Sequence, residues 1–289
     1  MIYGKIGLMR KKLKPIVVIG FFLTFFAIIF ISGVYGNRAT AGKETTITQS
    51  NTNPTSIETI PSSSYYITNA LEMKPIIDVS AWQRPSEIDY NTLSKNISGA
   101  IVRIQSGSHT KNENTATDKN GLDKAFDTHI KEFQARNIHV AVYAYVTGNS
   151  IDSMKEEARS FYEAANKYNP TFYWLDVEEH TMDDMNGGVE AFRQELESLG
   201  AKNIGIYVGI YFMEDHSINV DKFDAVWIPT YGVDSGYYNA APSTDLDYDL
   251  HQYTSRGYVN GFDNYLDLNI ITTLKDPNEV YRKLFTTPE

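Results

Sequence analysis

No cysteine occurs among the 289 residues. That absence excludes a disulfide scaffold, a thiolate nucleophile and any zinc or iron–sulfur site held by thiolates. Basic charge is scarce as well. Only 26 Lys and Arg stand against 36 Asp and Glu, a formal net charge of −10, which argues against the basic footprint of a general nucleic-acid binder. No two of the six histidines lie four residues apart, so there is no HExxH zincin helix. A phosphate-binding P-loop, a GxGxxG turn and a GxSxG nucleophile elbow are all missing. No metal and no cofactor are therefore expected. Aromatic residues, by contrast, make up 13 % of the chain, with 20 Tyr and 3 Trp, too many for a disordered polymer. The length is sufficient for one large core.

The charge is unevenly placed. Residues 1–36 carry Lys5, Arg10, Lys11, Lys12 and Lys14 and no acid, so the remainder holds 21 bases against 36 acids, or −15. No charge occurs between Lys14 and Arg38, and 16–34 reads IVVIGFFLTFFAIIFISGV. Nineteen helical residues span about 28 Å, close to the hydrocarbon thickness of a bilayer. The preceding bases would hold the N-terminus in the cytoplasm and send the rest outward. Ala39-Thr40-Ala41 suits signal peptidase, whereas the length of the apolar run suits a retained anchor, so 1–36 is either a signal peptide or a signal-anchor helix. Residues 37–72 form a Ser/Thr-rich linker, with Ser or Thr at 13 positions between Asn37 and Thr68. Few apolar side chains are available there to offset ordering entropy. The working domain, 73–289, is thus expected outside the cytoplasm.

Within that domain, runs rich in β-branched and aromatic residues alternate with helical patterns. Strands are predicted at 75–80, 99–106, 139–147, 172–179, 203–212, 225–232, 249–255 and 266–271. Leu122, Phe126, Ile130 and Phe133 share one helical face, as do Met154, Ala158, Phe161 and Ala165. A third helix, about 189–199, ends at Gly200. Eight strands alternating with helices predict an α/β fold, a mainly parallel β/α barrel with an irregular, strand-only final part.

Carboxylates cluster at the predicted strand ends. In Trp174-Leu175-Asp176-Val177-Glu178 the strand period of two puts Asp176 and Glu178 on one face, about 6.5–7 Å apart at Cα. Asp78 ends the first run and Asp267 lies in the last, its neighbour in a closed barrel. Four acids would then share one mouth, where barrel folds place their chemistry. Crowded carboxylates raise one another's pKa, so one stays protonated and can act as an acid. A glycosidic bond needs that acid for its leaving oxygen and an anion beside the developing oxocarbenium ion. Trp82, Tyr145, Trp227, Tyr231 and Tyr253, near strand ends, would supply faces for sugar rings. Glu179 and His180 read as loop residues.

DVSAWQ (78–83), YWLDVEE (173–179), WIPTYG (227–232) and HQYTSRGYVNGFDNYLDLN (251–269) together resemble the glycoside hydrolase family 25 lysozymes, which are N-acetylmuramidases of bacteria and phages. The likeness runs over about 75–285. It implies a β/α barrel of five βα units and three further strands. It also implies hydrolysis of the β-1,4 bond from N-acetylmuramic acid to N-acetylglucosamine in peptidoglycan, with retention. By the resemblance Glu178 is the general acid, Asp176 stabilises the intermediate, and Asp78 and Asp267 are the further cleft acids. Gln252, within the last motif, joins the aromatics as a substrate-binding residue. Direct attack and participation of the substrate's acetamido group both remain open. The repeated wall-binding module of many relatives is missing, which leaves the N-terminal segment as the localiser. The expected partners are peptidoglycan strands, in a Gram-positive wall, and the membrane, with a monomeric catalytic domain. The competing reading is a catalytically inactive barrel that binds cell-wall glycan.

Overall fold

The apolar runs become eight strands: β1 (Ile76–Val79), β2 (Gly99–Ser106), β3 (Val140–Tyr145), β4 (Tyr173–Val177), β5 (Ile204–Val208), β6 (Ala225–Pro229), β7 (Leu250–Val259) and β8 (Phe262–Ile271). In the computed structural model, which describes residues 70, 72–107 and 113–286, they hydrogen-bond in chain order into a closed barrel. β1 to β7 run parallel. β8 runs antiparallel to both β7 and β1 and so closes the ring. The expected α/β barrel is therefore present.

A helix follows each of the first five strands: α1 (Tyr90–Leu93), α2 (Phe126–Gln134), α3 (Ile151–Ala165), α4 (Met185–Leu199) and α5 (Ile210–Asp215). A sixth, α6 (Pro277–Phe285), comes after β8, and among the described residues no helix separates β6, β7 and β8. α3 starts where Ser150 and Ser153 cap each other's backbone N–H groups. α4 starts at Asp184, which accepts from Gly187 N–H, and stops at Gly200, whose φ of 98° favours glycine. α2 starts later than its apolar spacing predicts, because Leu122 pairs with Gln105 in an isolated bridge. The predicted strand 203–212 divides at Gly209 into β5 and α5. Conversely, β7 and β8 are longer than predicted and meet at a two-residue turn, Asn260-Gly261. Gly261 has φ 110° and lies so close to α1 that a Cβ would sit 2.4 Å from Leu93 N.

Alternation along the strands divides the core into two layers. Leu175, Val177, Ile206 and Val226 face outward and pack with Phe133, Phe161 and Phe192 of the surrounding helices. Ile76, Ile101, Phe172, Trp174 and Trp227 fill the barrel, and Val280, Leu284 and Phe285 of α6 join them at the N-terminal ends of the strands. The barrel is thus plugged at that end and opens only at the other. Trp174 fits because its neighbour across β5 is Gly205, where a Cβ would lie 2.4 Å from the indole.

Among the described residues no helix is long and apolar enough to cross a membrane. The apolar segment 16–34 and nearly all of the linker 37–72 lie outside the described residues.

Candidate active site

At the open end, the strand register assembles the acids. Asp78 of β1 and Asp267 of β8 are direct partners in the antiparallel pair. Asp176 of β4 lies level with Tyr145 of β3 and Tyr207 of β5. Glu178 comes just past the end of β4 and is exposed. All four acids line one cleft of about 210 Å³, together with Arg103, Tyr143, Tyr145, Tyr207, Trp227, Tyr231 and Gln252.

Asp78 is held by a buried amide clamp. Its Oδ2 accepts from Gln252 Nε2 at 2.9 Å and from Asn269 Nδ2 at 2.8 Å. Each amide is fixed in turn. Gln252 Oε1 accepts from the hydroxyls of Tyr207 and Tyr231, and Asn269 Oδ1 accepts from the Trp227 indole N–H at 2.8 Å. Burial pushes the Asp78 carboxyl up to about 6, opposed by its two amide donors and reinforced by the charge of Glu178.

Asp176 is buried, and its Oδ1 finds no donor among the described residues. Burial, then the charge of Glu178 and a side-chain hydrogen bond with it, hold the Asp176 carboxyl well above the usual carboxylate range. Asp267 is pushed up to about 9 by burial and by the charges of Asp78, Asp234 and Glu178. Among the described residues Arg103 is the one base lining the cleft. Buried Asp123 fixes it, with Nε and Nη2 each 3.0 Å from Oδ2. The same carboxylate accepts the backbone N–H groups of Ala81 and Ala125.

The aromatic residues divide into three groups. Tyr145, Trp227 and Tyr231 line the cleft. Of these, Trp227 is only 2 % exposed, with its edge against Trp174 and Tyr207, so it forms the floor rather than an open platform. Trp82 is 60 % exposed and lies outside the cleft lining, beyond the end of β1. Tyr253, expected to meet sugar, is instead buried in the outer layer against Tyr238 and His251. The cause is alternation: Gln252 points into the barrel, so its neighbour points out. Glu179 is more than a loop residue, since it accepts the Tyr145 hydroxyl at 2.8 Å. Arg103, Tyr143, Tyr207 and Asn269 were not singled out from the sequence. Their signal was inward parity, on the same face as Ile101, Ala141, Gly205 and Asp267.

This arrangement, a barrel mouth with a buried carboxyl beside an exposed one and two further acids, suits glycosidic bond hydrolysis. The sequence model for glycosyl hydrolases family 25 matches residues 77–262, more than half of the chain. The chain belongs to glycosyl hydrolase family 25. It is therefore a glycoside hydrolase, of the lysozyme family that its four motifs resemble. Among solved structures it is similar to GHIP of Streptococcus pneumoniae, described as a glycosyl hydrolase 25 and a virulence factor participating in host cell invasion. Identity is 57 %, the TM-score 0.73, and the match covers 78 % of this chain and 98 % of that one. The catalytic domain of a Listeria monocytogenes phage endolysin shares 24 % identity at a TM-score of 0.62, over 72 % of this chain and 97 % of the other. A Streptomyces coelicolor lysozyme shares 19 % at 0.59, over 75 % and 99 %. These two more distant likenesses show the fold. No curated protein matches the sequence.

Proposed function

We propose that this glycoside hydrolase cleaves the β-1,4 bond between N-acetylmuramic acid and N-acetylglucosamine in peptidoglycan, with retention. The observation that carries the reading is the Asp176–Glu178 pair: a buried carboxyl two residues along the same strand end from an exposed one, both lining the mouth of one cleft. Glu178 is the group a leaving oxygen can reach. Asp176 Oδ1, with no donor of its own, fits the N–H of the substrate's acetamido group. In the complex Asp176 receives that N–H as an anion, and Glu178 is the general acid.

The acetamido oxygen then attacks the anomeric carbon, the glycosidic C–O bond breaks, and the departing hydroxyl takes the proton of Glu178. Asp176 stabilises the positive oxazolinium ring. Glu178, now a base, deprotonates water, which opens the ring and restores the starting configuration. Asp78 and Asp267 shape the opposite wall.

The apolar segment 16–34 and its flanking bases deliver the barrel to the outer face of the membrane, at a Gram-positive wall. An acidic domain gains no electrostatic steering toward an anionic wall, so a retained anchor would hold it within reach. The role is local wall remodelling or lysis.

Mass analysis of digested peptidoglycan tests the reading. New reducing ends are expected on N-acetylmuramic acid, and Glu178→Gln is expected to lose more than about 100-fold in rate. Reducing ends on N-acetylglucosamine, or an unimpaired variant, would overturn it.

A further inference from the structure

The β7–β8 hairpin extends past the acids, and its two faces differ. Val259, Phe262 and Leu266 point into the outer core. The alternate residues Arg256, Tyr258 and Tyr265 are exposed. Tyr265 lies two residues from Asp267 on β8, so it shares the face that carries Asp267 into the cleft, about 6.5–7 Å further along. Arg256 and Tyr258, two apart on β7, both reach Tyr265 across the hairpin. The two rings pair at 4.9 Å with a 55° tilt, and the Arg256 guanidinium lies 5.4 Å from the Tyr265 centroid.

A single exposed tyrosine is ordinary surface, but two in contact beside an active cleft make a continuous aromatic face. Tyr258 is 65 % exposed and Tyr265 41 %. Among the described residues Arg256 makes no ion pair. The base of the hairpin is fixed: Asp234 accepts from Thr254 Oγ1, Ser255 N–H and Ser255 Oγ. A surface ordered in advance has little side-chain or loop entropy left to lose on binding.

We propose that this face is a saccharide-binding ledge, continuous with the cleft, for the same peptidoglycan strand. One sugar ring stacks on the Tyr258–Tyr265 pair, and a carboxylate of the lactyl group or stem peptide meets Arg256. The ledge rests on the muramidase reading, because only a chain longer than the cleft spans both places. An apolar ring face suits the tyrosines and an anion suits a guanidinium that makes no ion pair among the described residues, so the strand's alternating chemistry matches the ledge's.

The test separates the ledge from the chemistry. In a Glu178→Gln background, binding is measured to long muramyl glycan strands and to chitin oligosaccharides, which carry no carboxylate. Tyr258→Ala is expected to weaken both roughly three- to tenfold, and Arg256→Gln to weaken only the muramyl strands. In the active protein, Tyr258→Ala is expected to raise KM more on long strands than on a muramyl tetrasaccharide. Unchanged binding in both variants overturns the ledge, as does an equal effect on long and short substrates. Absence of cleavage by the unmodified protein would instead strike the muramidase reading, which the binding measurements do not require. Circular dichroism confirms that these exposed substitutions leave the fold intact.

Discussion

Asp78 and Asp267 stand opposite each other as register partners across β1 and β8, so closing the barrel sets two carboxylates face to face. With Asp176 and Glu178 in the same cleft, the free protein holds more protons than independent carboxyl groups would.

Stability is expected to depend on pH accordingly. The Asp267 carboxyl sits at about 9 in the fold, against roughly 4 in an unfolded chain. Between those values the folded state binds the extra proton, so its contribution is complete below about pH 4 and is lost as pH rises through 9. Asp78 and Asp176 shift in the same direction. Thermal unfolding is expected at a higher temperature near pH 5 than near pH 8. Asp267→Asn is expected to add roughly 1–2 kcal/mol at pH 8 and to flatten the profile. A melting temperature that rises from pH 5 to pH 8 would contradict this.

Gln252→Leu removes one of two donors from Asp78 and the shared acceptor of Tyr207 and Tyr231. Stranding buried hydroxyls costs about 1–3 kcal/mol, readable in urea. Losing a donor also moves the Asp78 carboxyl further up from about 6. The acid limb of kcat/KM is expected to shift to higher pH. An unshifted limb would show that the clamp does not set this ionisation.

Asp123→Asn removes the buried carboxylate that binds the Arg103 guanidinium at the cleft wall. Breaking a buried pair by removing one partner costs about 3–5 kcal/mol. The denaturant midpoint is expected to fall steeply, and a loss under 1 kcal/mol would mean that Arg103 finds another partner.

Gly205→Ala puts a methyl group against the Trp174 ring inside a filled barrel. Overpacking is expected to cost about 1–3 kcal/mol by equilibrium unfolding, with the tryptophan fluorescence altered. An unchanged midpoint would mean that Trp174 can turn aside.

The sequence made the barrel and its acids legible wherever alternation was unbroken. In Trp174-Leu175-Asp176-Val177-Glu178 the period of two placed the pair correctly at the mouth. Arg103 shares the inward parity of Ile101, but its partner Asp123 lies 20 residues away, so nothing local marks a buried ion pair. The hairpin was undercounted because its register shifts three times between Gln252 and Val259. α5 was hidden within an unbroken apolar run, which period alone cannot divide into strand and helix. Tyr253 shows that closeness to a strand end says nothing about facing. Parity with Gln252 decides it.

The bond from Asn269 to Asp78 joins residues 191 positions apart. Contacts of such long sequence separation form late, because the intervening loop must first be closed at an entropic cost. A chain growing from its N-terminus therefore completes β4, with its acid pair, well before β8 exists to face β1. Until the last strand arrives, Asp78 lacks one of its amide donors and the cleft lacks a wall. Closure by an antiparallel final strand thus acts as a clock, reserving a finished cleft for a finished molecule.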